Sequence, residues 1–69
     1  MNTQRDTFGA LLATKAATLN ARILANELTR DEYNVSCAGA DDRFVCNHVN
    51  HLLQRKLVRL TRTHVVSAR

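Results

Sequence analysis

The sequence predicts a mainly helical domain in which three helices are followed by a short C-terminal β-strand or hairpin. Three observations carry that expectation. Proline is absent and only two glycines, Gly9 and Gly39, occur in 69 residues, so neither a disordered linker nor an array of tight β-turns is encoded. Residues 41–56, DDRFVCNHVNHLLQRK, place apolar side chains at helical spacing. Beyond Leu57 the composition becomes β-branched, and Val58 and Leu60 alternate with Arg59 and Thr61, the period of a half-buried strand. A chain of this length makes a single domain, residues 1–69, near the size at which one core just suffices. With 45% hydrophobic but only 4% aromatic residues, that core has to be aliphatic.

Taken in order, residues 1–6 are polar and read as a frayed start. Thr3 or Asp6 offers an N-cap for a first helix through FGALLATKA, with Phe8, Leu11, Leu12 and Ala16 on one face. Gly9 weakens that helix by up to ~1 kcal/mol and suggests close backbone packing there. The stretch from Ala16 to Leu19 reads as a break, because Thr18 and Asn20 are both competent caps. A second helix over about 20–30 would then bury Ala21, Leu24, Ala25 and Leu28, with Ile23 on the flank. DEYNVSCAGADD reads as a polar connection anchored by Tyr33 and Val35, with Asp41 or Asp42 capping the next helix. The third helix, 42–55, buries Val45, Cys46, Val49, Leu52 and Leu53 within an arc of about 120°. The terminal β element is a strand or a hairpin turning near Thr61 to Thr63; the rival reading continues the helix to Leu60, but Val58 would then point to the wrong side of it.

The opposite side of the third helix carries the functional signal. Arg43, Asn47, Asn50 and Gln54 fall within roughly 60° of one another, with His51 beside them. A face that only meets water favours Glu, Lys and Ala, whereas Asn weakens a helix. Asn and Gln present a donor and an acceptor side by side, which matches the major-groove edge of adenine, and Arg matches guanine. The bland alternative is an amide-rich solvated face. Charge adds to the first reading. The formal net charge is +4, but residues 1–42 carry −2 while 43–69 carry +6 with no acid at all, an asymmetry that suits a polyanionic partner.

Two helices followed by VNHLLQRKLVRLTR resemble the winged helix-turn-helix domains of bacterial and phage transcription regulators, over about residues 7–66 with the specific part at 43–62. In that family the recognition helix runs directly into the first wing strand, and its apolar pattern corresponds here to Val45, Val49, Leu52, Leu57 and Val58. The chain departs from the family in a helix-to-helix link of about a dozen residues, in Lys56 where glycine is common, and in a short wing. The resemblance implies a sequence-specific double-stranded DNA-binding regulator such as a repressor. Arg43, Asn47, Asn50, His51 and Gln54 would read bases, and Arg55, Lys56, Arg59 and Arg62 would hold phosphates. One small module buries little DNA, so a homodimer on paired half-sites is expected, with Phe8, Leu11 and Leu12 as contact residues.

Other chemistry has weaker support. Cys37, Cys46, His48 and His51 are four ligand types in suitable number for zinc, but no C-x-x-C is present and Cys46 lies about 160° from His48 on one helix, so no metal or cofactor is expected. His48 and His51 read as surface residues. No apolar run approaches the ~18 residues of a membrane span, and the N-terminus lacks a signal-peptide core. A cytoplasmic protein with reduced thiols at Cys37 and Cys46 follows; a disulfide between them is geometrically conceivable but not expected in a reducing compartment. Neither an orienting third group nor a glycine-rich loop accompanies any nucleophile, so an enzyme is not expected. The competing function is a small adaptor or inhibitor, phage- or plasmid-encoded, whose basic C-terminal half docks on a partner protein.

Overall fold

The computed structural model describes residues 3–39 and 41–68, and for residues 3–9 the backbone alone. Its elements are α1 (Thr3–Leu24), α2 (Arg30–Cys37), α3 (Phe44–Gln54), β1 (Val58–Leu60) and β2 (Val65–Ser67). The strands pair antiparallel with Leu60 opposite Val65 and Val58 opposite Ser67. Three helices and a C-terminal hairpin are the predicted architecture, but two of the helices lie elsewhere than expected.

A single helix, α1, replaces the two predicted across residues 7–30. The expected break at Ala16–Leu19 does not occur: Ala16, Ala17 and Ala21 favour helix, and the side chain of Asn20 meets His48 across the fold at 2.8 Å rather than capping. The helix is already formed at Thr3, so Asp6 lies inside it. Its buried stripe is Leu19 and Ile23; Ala21 and Ala25 are exposed and Leu24 is 73% exposed, which reverses the predicted face. Leu11 and Leu12 are 56% and 39% exposed, so the first half of α1 overhangs the core. The roles expected of Phe8 and Gly9 concern packing around residues 3–9, which lies outside what is described.

Each turn that ends a helix has a physical cause. At the end of α1, the Asn26 N–H donates to the Ile23 carbonyl and the Glu27 N–H to Arg22, with Asn26 at φ 60°, the left-handed conformation that asparagine tolerates best after glycine. The chain then enters α2 through Thr29, whose Oγ1 accepts from the Glu32 N–H at 3.1 Å. Helix α2 therefore occupies most of what reads as a polar connection. Tyr33 does pack on the core, but Val35 is 59% exposed and anchors nothing.

Ser36, buried on α2, holds the next turn. Its hydroxyl donates to the Asp42 carbonyl at 3.2 Å and accepts from the Cys46 N–H at 3.1 Å, satisfying one of the unpaired donors in the first turn of α3. Asp42 Oδ1 takes the Phe44 N–H at 2.9 Å, so α3 starts at Phe44 rather than at residue 42. Gly39, at φ +98°, supplies the left-handed step between α2 and α3 that a β-carbon would disfavour. Replacing Ser36 with alanine strands a buried N–H and is expected to cost about 1–3 kcal/mol, measurable as a lowered midpoint in urea unfolding.

Beyond α3, Lys56 N–H donates to Leu53 and Leu57 N–H to Leu52, with Lys56 at φ 60°. Lys56→Gly is accordingly expected to raise stability by up to about 1 kcal/mol, seen as a higher melting temperature, because the β-carbon strain of a left-handed residue is of that order.

The hairpin turns at Arg62 and Thr63, as predicted. Thr61 closes it: its N–H donates to the His64 carbonyl at 2.8 Å, and its Oγ1 accepts the His64 N–H at 2.9 Å. Residues 28–30 run beside β2 as a further edge, because Val65 N–H donates to Leu28, Arg30 N–H donates to Thr63, and Thr29 bridges to His64. The core is Leu19, Ile23, Leu28, Val49, Val58 and Val65, with Tyr33, Phe44, Val45, Leu52, Leu53 and Leu60 packed around it.

The cysteines differ from expectation. Cys37 and Cys46 form a disulfide with Cα atoms 5.0 Å apart, not two free thiols. The cause is the tight turn: the last residue of α2 and the first turn of α3 are brought together by Ser36 and Gly39, within the separation a disulfide requires. Among the described residues no helix is long and apolar enough to cross a membrane.

Candidate nucleic-acid interface

Helix α3 is amphipathic in the sense the sequence suggests. Cys46 and Val49 are buried, Phe44, Val45, His48, Leu52 and Leu53 are partly buried, and Asn47, Asn50, His51 and Gln54 are exposed, as is Arg43 at its N-cap. The exposed set spans about 100° of the helix. All five residues expected to read bases thus share one solvent-facing side. Arg55 and Lys56 continue from its C-terminal end, Arg59 is the exposed residue of β1, and Arg62 is exposed at the hairpin tip.

The strip is not uniform. Asn47, Gln54, Arg55, Lys56, Arg59 and Arg62 are exposed and make no side-chain hydrogen bond or ion pair among the described residues. Asn50 is held: the Tyr33 hydroxyl donates to its Oδ1, and its Nδ2 lies 3.4 Å from Cys46 Sγ. Arg43 Nη2 lies 3.9 Å from the same sulfur. Any partner that takes Asn50 or Arg43 has to displace these contacts, whereas Asn47 and Gln54 are available at once.

His48 does not lie free on the surface. Its ring stacks on Phe44 with centroids 5.7 Å apart, and Lys15 Nζ sits 4.8 Å from the Phe44 centroid. With Nε2 engaged by Asn20, His48 fastens α3 to α1. Burial, with the charge of His51 adding to it, lowers its pKa from the ordinary histidine value, so a neutral ring is the folded form. Among the described residues no group of three or more His, Cys, Asp or Glu is placed to hold a metal, and the cysteines expected to be thiols are bonded to each other.

Two features of the site's support were missed in sequence. Thr29 and Glu32 stand at capping-box spacing, a signal that marks the start of α2. Glu32 then turns to Arg22, with Nη1 and Nη2 at 2.8 and 2.7 Å. This hydrogen-bonded pair holds the Glu32 carboxyl below its usual range against the effect of burial, and it ties α1 to α2. Ser36 had no comparable signal, because its partners come from α3 and the turn. Comparison with protein-family models, with curated proteins and with solved structures finds no match.

Proposed function

We propose that this protein binds double-stranded DNA with sequence preference and acts as a transcriptional regulator, laying the exposed side of α3 in the major groove. The observation that carries the reading is the pairing of an amide and arginine face with a fully basic second half. Arg43, Asn47, Asn50, His51 and Gln54 are all exposed on one side of α3, and no acid occurs after Asp42. The turn between α2 and α3 now spans only residues 38–43, close to the short link of a helix-turn-helix, where the sequence suggested a dozen residues. The left-handed Lys56 likewise fits the family's glycine.

Within this reading the free amides of Asn47 and Gln54 make the first base contacts, while Asn50 contributes only after releasing Tyr33. Arg55, Lys56, Arg59 and Arg62 supply phosphate contacts and Arg43 flanks the groove. A pair of chains on two half-sites would supply the affinity one module lacks, and the exposed Leu11 and Leu12 are the side chains offered for that contact.

Selection from a random duplex library, followed by binding at graded salt, tests the proposal. One enriched sequence is expected. With four phosphate contacts per chain the slope of log affinity against log salt is about −3.6 for one chain and about −7.2 for a pair on two half-sites. Asn47→Ala should erase the preference at one base pair, worth about 1–3 kcal/mol, and leave residual salt-dependent binding. No binding to any duplex, with tight capture of one protein instead, would favour the adaptor reading.

A further inference from the structure

The two halves of the disulfide stand in different surroundings. Cys37 closes α2 and is partly exposed, whereas Cys46 is buried at 1% exposure. A thiolate displaces one sulfur by attacking the other, and the released sulfur departs the more readily the better its anion is stabilised. Only Cys37 offers an approach from solvent. Attack there expels Cys46, whose sulfur faces the Asn50 Nδ2 amide at 3.4 Å and the Arg43 guanidinium at 3.9 Å. Cys46 is also the third residue of α3, within the helix turn whose dipole favours a negative charge.

From this asymmetry we propose that the Cys37–Cys46 bridge is a directional exchange site for small thiols and accessible protein dithiols, entered at Cys37 and left at Cys46. In the first step the incoming thiolate forms a bond to Cys37 Sγ as the Cys37–Cys46 bond breaks, and the electron pair leaves on Cys46 as a thiolate. A second thiol then attacks the incoming group's sulfur in the mixed disulfide, forming the oxidised disulfide of the reagent and releasing Cys37 as a thiolate. Overall two thiols are oxidised and one protein disulfide is reduced. Arg43 and Asn50 are catalytic residues of this step, since they touch the leaving sulfur. The chemistry takes place without DNA and stands apart from the proposed function, although both use Arg43.

The test is to incubate the oxidised, folded protein with reduced glutathione, trap free thiols with N-ethylmaleimide and map the adducts by mass spectrometry. Glutathione is expected on Cys37 and maleimide on Cys46. Arg43→Ala should slow the first step at least about threefold, as expected for a leaving thiol whose acidity falls by about one pKa unit, and Arg43→Lys should restore most of the rate. Glutathione on Cys46, or a rate indifferent to Arg43, overturns the proposal.

Discussion

Leu28→Ala is expected to lower the unfolding free energy by about 3.5 kcal/mol, the middle of the range for a leucine truncated inside a core. Leu28 is fully buried and lies between the left-handed turn that ends α1 and the cap of α2. Its carbonyl also accepts the Val65 N–H at 3.0 Å, so side chain and backbone join the helical part to the hairpin. A domain of this size has a total stability of only several kcal/mol, and the loss would leave a sizeable unfolded fraction at physiological temperature. Urea unfolding should show a lower midpoint with an unchanged slope. Leu24→Ala, on the same stretch but 73% exposed, should shift stability by no more than about 0.5 kcal/mol. Equal effects at the two positions would refute the placement of the α1 face.

Removing the disulfide should cost somewhat less. Cys37 and Cys46 are nine residues apart, and closing a loop of that size restricts the unfolded chain by about 2.5 kcal/mol. The variant with serine at both positions is therefore expected to melt roughly 10–20 °C lower than the bridged protein, since each kcal/mol shifts a domain of this size by about 4–8 °C. Reduced wild-type protein should melt near the double variant. A melting temperature indifferent to reductant would mean that the bridge does not restrain the chain.

What the sequence made legible follows from where each signal is stored. Helix α3 carries its whole pattern locally: Cys46, Val49 and Leu53 on one side and Asn47, Asn50 and Gln54 on the other are sorted by period alone, and the structure keeps that division. The hairpin was legible for the same reason. The course of α1 was not, because Thr18 and Asn20 are ambiguous between cap and interior, and the deciding contact, Asn20 to His48, spans 28 residues. Ile23 rather than Leu24 faces the core because it shares the i, i+4 stripe with Leu19, whereas the stripe joining Leu24 to Leu28 is cut by the left-handed turn at Asn26. Helix α2 had a local marker in Thr29 and Glu32, but its polar exposed face gave no apolar period to confirm it. The cysteine pairing depended on the turn between α2 and α3, and so became visible only once α2 was in place.

The run of residues 28–30 beside β2 has one more consequence. A two-strand sheet has two outer rims, and an uncovered rim can recruit strands from other molecules. Here the backbone of 28–30 occupies the β2 rim, with Arg30 Nη1 reaching the Thr61 carbonyl at 3.1 Å. The β1 rim is only three residues long and carries the charge of Arg59. Both rims are thereby blunted against edge-to-edge aggregation, which a chain this rich in valine and leucine would otherwise risk at the concentrations used to purify it.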